Sequence, residues 1–208
     1  MKNIILIFLF NIAFVQAQTY DFDYFVKYAT ESSDCKGETA MYVSSKNDQY
    51  YLMFLKQENG LTAKLTDYQT GRSHYFTVGE TAQKGGKVLY DFKYDFSGDS
   101  NFLNPAEFSK NVYSLRQDSA NANLELQIYK NSRRKKLESK FSIEVIKSDN
   151  LFSAFEYCCV HPHRFVQEEK PKNLLVTKAT ETTKKGQLIN YELKTLKEVN
   201  FKLIVPQE

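Results

Sequence analysis

Hydrophobic and polar residues alternate through most of the chain, with the period of two that is typical of half-buried β-strands. Between residues 20 and 28, every even position is aromatic or Val, whereas Asp21, Asp23 and Lys27 lie on the other side. The same alternation recurs over residues 88–96, and an α-helix cannot present such a pattern on one face. Both segments are therefore predicted to be strands.

Roughly eleven strands are predicted along the chain, most of them joined by short turns. The further segments are 41–43, 50–55, 61–65, 74–78, 124–128, 141–145, 152–160, 174–179, 189–193 and 201–205. The dipeptide Asn59-Gly60 favours a type I′ hairpin turn. Asn104 followed by Pro105 predicts the start of one short helix over residues 106–110.

These elements predict an all-β fold, because no βαβ alternation interrupts the strands. We expect an antiparallel meander that forms a strongly curved open sheet or a barrel, with one short helix. This plan resembles the open barrels of periplasmic lipoprotein carriers of the LolA kind, in architecture alone. The chain contains no motif of that family, so the resemblance assigns no binding residue.

Residues 1–17 have the pattern of a signal peptide. Lys2 precedes an apolar run over residues 4–14, and Val15-Gln16-Ala17 ends the segment as signal peptidase requires. No later stretch approaches the ~20 apolar residues of a transmembrane helix. We therefore expect a single β-rich domain over residues 18–208, exported to the periplasm or secreted, without a transmembrane segment.

The composition agrees with a packed β domain and argues against a nucleic-acid partner. The chain has 16 Phe and 14 Tyr, but only 8 Gly and 4 Pro. Its 28 Lys and Arg nearly balance its 25 Asp and Glu. Such a balance offers no bulk attraction for nucleic acid.

The three cysteines allow two interpretations. In an oxidising compartment, Cys35 is expected to form a disulfide with Cys158 or Cys159. Alternatively, an extended backbone over residues 158–163 would place Cys159, His161 and His163 on one face, where they could bind Zn or Cu. The disulfide is the favoured interpretation, because Pro162 interrupts the strand and the spacing matches no established zinc motif.

No catalytic motif is present: the chain contains neither G-x-S-x-G nor H-E-x-x-H. We expect a protein without a cofactor that does not act as an enzyme. The aromatic stripe Tyr90, Phe92, Tyr94 and Phe96 is either core or the lining of a surface that holds an apolar ligand.

These observations favour an exported, non-enzymatic β-protein of the cell envelope that binds an apolar small molecule or an envelope protein. Two alternatives stay open. One is a secreted metal-dependent or hydrolytic enzyme that uses Cys159, His161 and His163. The other is a structural surface component without a ligand.

Overall fold

The described part of the chain forms a single antiparallel sheet and one helix, as a computed structural model shows. The structure describes residues 17–58, 60–85, 88–99, 112–117, 123–159 and 171–206. The strands are β1 (Gln18–Ser32), β2 (Lys36–Val43), β3 (Tyr50–Gln57), β4 (Gly60–Asp67), β5 (Arg72–Ala82), β6 (Val88–Asp99), β7 (Val112–Gln117), β8 (Asn123–Tyr129), β9 (Leu137–Lys147), β10 (Leu174–Thr183) and β11 (Leu188–Val205). The helix α1 (Phe152–Cys159) lies between β9 and β10. No helix in these described ranges is long and apolar enough to cross a membrane.

The strand order is β6-β5-β4-β3-β2-β1-β11-β10-β9-β8-β7. Every neighbouring pair for which the register is defined is antiparallel, so the sheet consists of two meanders. The first and last strands, β1 and β11, pair along almost their whole length and join the two meanders at the centre. Strands β6 and β7 form the two edges. The predicted fold class, an antiparallel meander in an open sheet, is confirmed.

The alternating residues of β1 contribute to two separate cores. Tyr24, Val26 and Tyr28 pack with α1 and with the inner residues of β2 and β7–β10 in the first core. Tyr20 and Phe22 instead pack with residues of β3–β5 and of β11 in the second core. The register between β1 and β11 shifts between Phe22 and Tyr24, because β11 has one extra residue there. The change of core coincides with this β-bulge, which increases local twist.

The segment predicted as a strand over residues 152–160 is a helix over Phe152–Cys159. Side chains of residues 152–157 are all buried, so the segment shows no polar face from which a period could be read. A short apolar run of this kind fits a buried strand or a buried helix equally well. The absence of Val, Ile and Thr from residues 152–159 was the available signal for a helix.

Three further expectations concern the limits of the elements. Residues 189–193 and 201–205 belong to one strand, β11, and the strand β7 was not predicted. The predicted helix over residues 106–110 lies outside the described residues. Asn59 of the predicted hairpin turn also lies outside them, whereas Gly60 has a φ of 137°.

Tyrosines fix the helix α1 to the sheet. The Tyr157 ring stacks on Tyr51 of β3 with centroids 4.3 Å apart, and its hydroxyl donates to the backbone oxygen of Asp48. Within the first core, the hydroxyl of Tyr28 donates to the Val176 oxygen at 2.6 Å. These bonds satisfy buried polar groups that would otherwise destabilise the core. The Phe155 ring contacts Tyr28 of β1 and Tyr191 of β11, so the helix is held against strands from both meanders.

Removing the central ring of α1 should destabilise the domain. Phe155 is completely buried and contacts the rings of Tyr28 and Tyr191. We expect Phe155→Ala to lower the free energy of unfolding by about 3–5 kcal/mol, because the lost burial leaves a cavity. Urea unfolding followed by circular dichroism measures this change.

Ile204→Ala is the matched control, because Ile204 is a strand residue that is 63% exposed. Its expected effect is within about 0.5 kcal/mol of zero. Equal effects of the two substitutions would contradict the position of α1 in the first core.

Candidate ligand-binding face

An aromatic patch lies beside the second core, where β6, β3 and β2 face the paired strands β1 and β11. The patch consists of six half-buried rings: Phe25, Tyr42, Phe54, Tyr90, Phe92 and Phe201. Below these rings are the fully buried aliphatic residues of β3–β5. The patch is therefore the partly exposed surface of a core.

The rings of the patch contact one another. The Tyr42 ring is central, with its centroid 4.7 Å from Phe201, 5.2 Å from Phe25 and 5.6 Å from Phe54. Phe92 is 5.2 Å from Phe201 and 5.9 Å from Phe54. These separations are those of edge-to-face and offset aromatic pairs. The patch is thus a continuous apolar surface that five strands build together.

The patch is electrically neutral but has hydrogen-bonding groups. Burial, together with the neighbouring Tyr90, raises the pKa of the Tyr42 phenol to about 12. Burial and the carboxylate of Glu80 raise the pKa of Tyr90, while Lys27 acts in the opposite direction. Both phenols remain protonated at neutral pH. They can hydrogen-bond a polar group at the end of an otherwise apolar ligand.

The structure separates the four β6 residues of the predicted aromatic stripe. Tyr90 and Phe92 belong to the patch, and Tyr94 lies beside it with its ring 5.7 Å from Phe76. Phe96 lies on the opposite side of the sheet and is 56% exposed. It stacks on Tyr75, with ring centroids 4.7 Å apart.

A β-bulge at Asp95 causes this separation. Tyr94 pairs with Phe76 and Phe96 pairs with Tyr75, so Asp95 is the extra residue of β6. An extra residue reverses the alternation that follows it. The Asp95 carboxylate accepts a hydrogen bond from the Thr77 hydroxyl at 2.9 Å, which holds the bulge in place.

On the sheet face opposite the patch, Lys64 lies beside the stacked rings of Tyr75 and Phe96. Lys64 pairs with Tyr75 across β4 and β5, and its ammonium lies 5.7 Å from the centre of the Tyr75 ring. Burial lowers the pKa of Lys64 to about 8. The aromatic contact favours the protonated form, but desolvation outweighs it at this position.

A polar cleft of about 480 Å³ lies at the bulge between β1 and β11. Its lining consists of Asp21, Phe22, Asp23, Ser44, Lys46, Val199, Asn200 and Lys202. Lys202 forms an ion pair with Asp21 at 3.1 Å, and Asp23 accepts hydrogen bonds from the backbone nitrogen and hydroxyl of Ser45. Both carboxylates of the cleft are therefore already paired, and only Phe22 and Val199 of its lining are apolar residues.

Four residues of the patch were not identified from the sequence. Phe25 lies at a position of β1 that alternation assigns to the polar side. Tyr42 lies at a position of β2 between the buried Met41 and Val43, Phe54 lies on a strand that is apolar on both faces, and Phe201 is distant from all of them in sequence. The two-sided apolar pattern of residues 50–55 was the one available signal that both faces of this sheet are covered.

Of the two predicted disulfides, Cys35–Cys158 is not formed in the structure, where both are free thiols, and the side chain of Cys159 lies outside the described residues. Cys158 lies against the backbone oxygen of Thr39, with its sulfur 3.9 Å away. Thr39 is four residues along β2 from Cys35, a distance of about 13 Å in a strand. A disulfide requires Cα atoms about 4.4–6.8 Å apart.

The predicted metal site assumed an extended backbone from residue 158 onward, whereas α1 extends to Cys159. The backbone at Cys159, the first of the three predicted ligands, is therefore helical and not extended. The side chain of Cys159 and both His161 and His163 lie outside the described residues. Among the side chains that the structure describes, no group of three or more His, Cys, Asp or Glu could hold a metal ion.

No protein-family model and no curated protein matches this chain. Among solved structures, the chain is similar to a LolA superfamily protein from Nitrosomonas europaea, with 10% sequence identity and a TM-score of 0.31. The similarity covers 87% of each chain. At this TM-score it assigns neither a family nor a function.

The two described thiols should differ in reactivity. Cys35 is exposed, whereas burial raises the pKa of the Cys158 thiol and so suppresses its reactive thiolate. In a Cys159→Ala variant, which leaves these two thiols, iodoacetamide should modify Cys35 first and Cys158 only after unfolding. Peptide mass mapping distinguishes the two. Equal rates of modification in the folded protein would contradict the burial of Cys158.

Lys64 should make stability depend on pH. Between about pH 8 and its unfolded pKa of 10.5, the unfolded chain binds more protons at this residue than the folded chain does. The Lys64 contribution to stability therefore increases as pH rises through this range. We expect Lys64→Met to stabilise the protein more, relative to wild type, at pH 7 than at about pH 9.5. Urea unfolding at both pH values measures this difference, and a constant difference would contradict the burial of the ammonium.

Proposed function

We propose that this protein is an exported, non-enzymatic binding protein of the cell envelope, and that it holds an apolar ligand on the aromatic patch. The observation that supports the proposal is the contiguity of six half-buried rings on one side of a curved sheet. Monomeric proteins rarely keep large contiguous apolar surfaces unless these have a function. Export rests on the sequence prediction that residues 1–17 are a signal peptide.

The chemistry of the patch favours an elongated apolar ligand with a polar end. Aromatic rings offer large contact areas that tolerate different alkyl shapes, because their contacts are not directional in the way that hydrogen bonds are. The phenols of Tyr42 and Tyr90 supply hydroxyl groups beside that surface. A fatty acid or another acyl lipid has this combination of groups.

The enzyme alternative gains no support from the described side chains. The structural-component alternative differs from our proposal in one measurable property, because a component without a ligand would leave the patch empty in solution. The experiment below separates these two cases.

A charge in the patch should abolish binding of an apolar probe. The proposed probe is a dansyl-labelled C11 fatty acid, whose fluorescence increases in apolar surroundings. We expect wild type to bind it and Phe92→Asp to bind at least about tenfold more weakly, because the carboxylate would have to lose its hydration beneath the acyl chain.

Phe96→Asp is the matched control, since it makes the same change on the same strand but on the opposite face. Its affinity for the probe should stay within about twofold of wild type. Tyr90→Ser is the second patch variant, and it serves as the test if thermal unfolding shows that Phe92→Asp does not fold. The proposal would be contradicted if the patch and control variants lost the same amount of affinity for the probe, or if wild type did not bind the probe.

A further inference from the structure

The edge strand β6 has an unusual arrangement of charged and apolar side chains. It is 12 residues long, whereas the other edge strand, β7, has six. Long edge strands are hazards that proteins usually shorten, cover or protect with charges, because their unpaired backbone groups can recruit another strand. Within the described residues, no strand pairs with the outer side of β6.

Exposed residues of β6 make it suitable for pairing. Leu89 is 54% exposed and Phe96 is 56% exposed, and both lie on the polar side of the strand. Between them on that side are Asp91 and Lys93, which are also exposed. Protective edges present charges that repel a second copy, whereas this edge carries charges of both signs: Asp91, Lys93 and the bulge residue Asp95, whose carboxylate is bonded to Thr77.

We propose that two copies of this protein associate through β6, antiparallel and with Phe92 opposite Phe92 at the two-fold axis. In this register, Asp91 of each copy is opposite Lys93 of the other. Both pairs are favourable, since opposite charges directly across a strand pair stabilise it. An antiparallel pair of identical strands generates this closed two-fold symmetry.

The same register accounts for the exposed apolar residues. Leu89 of one copy lies opposite the bulge of the other, which contains Asp95 and Phe96. The bulge turns Phe96 to the polar side, which is also the side of Leu89. In this register Asp95 is directly opposite Leu89, and Phe96 lies next to Asp95 on the same side. The dimer therefore brings each Leu89 beside a Phe96 side chain, and both lose contact with water.

Other registers are less favourable. Centring the pair on Lys93 places Lys93 opposite itself and Asp91 opposite Asp95, and centring it on Asp91 places two Asp91 carboxylates together. Centring it on Tyr94 pairs Lys93 with Asp95, but Asp95 is the bulged residue and its carboxylate is bonded to Thr77. Phe92 is therefore the favoured centre.

Charge reversal tests this register without altering the aromatic patch, because Asp91 and Lys93 project from the other side of β6. Analytical ultracentrifugation of the chain over residues 18–208, at concentrations up to about 100 μM, should show a dimer. Lys93→Asp and Asp91→Lys should each weaken dimerisation at least about tenfold, since each places like charges opposite each other.

The double variant Asp91→Lys/Lys93→Asp exchanges the two charges and should restore the dimer to within about threefold of wild type. Lys147→Asp is the control, because Lys147 is exposed on β9 in the other meander and its reversal changes net charge by the same amount. It should leave the dimer unchanged. Thermal unfolding verifies that each variant is folded.

A monomeric wild type at the highest concentration would overturn the proposal. A dimer that neither single reversal weakens would overturn this register, as would a double variant that stays as weak as the singles. Probe binding to the aromatic patch is measured on the same samples. If a variant no longer dimerises but still binds the probe, the dimer proposal and the proposed function are separate. Each proposal can therefore fail without the other.

Discussion

The pairing of β1 with β11 is the constraint on which the rest of the structure depends. Each meander is held together by hairpins between sequence neighbours, and among the described strands this is the one backbone ladder that joins the two halves. Its bulge between Phe22 and Tyr24 coincides with the change from one core to the other. A single central ladder therefore determines where the helix packs and where the aromatic patch forms.

The patch depends on this ladder directly, because Phe25 and Phe201 come from its two strands. Their partners Tyr42, Phe54 and Phe92 come from the meander that curves over them. No two-stranded hairpin of the chain contains enough of these rings to form the surface. We therefore regard the patch as a property of sheet curvature, and substitutions that flatten the sheet should impair it without touching any ring.

Alternation along the sequence predicted the antiparallel meander, because most strands have one buried and one solvated face. Alternation did not predict the secondary structure correctly where both faces of a segment are covered. The side chains of residues 152–157 are all buried, so periodicity could not distinguish a helix from a strand. Local patterns also could not place the bulge at Asp95, which moves Phe96 to the opposite face from Phe92. The assembly of Tyr42 with Phe201 depends on tertiary contact between residues far apart in sequence, which a single sequence does not reveal.

The central position of β1 and β11 also affects the order in which the molecule can be assembled. Of the described strands, β1 leaves the ribosome first and its partner β11 leaves last. Bringing such distant segments together is slow relative to forming hairpins between neighbours. During synthesis, β1 has one side unpaired for as long as β11 is missing. The two meanders of a nascent chain therefore stay unjoined, and accessible to chaperones, until β11 has been synthesised.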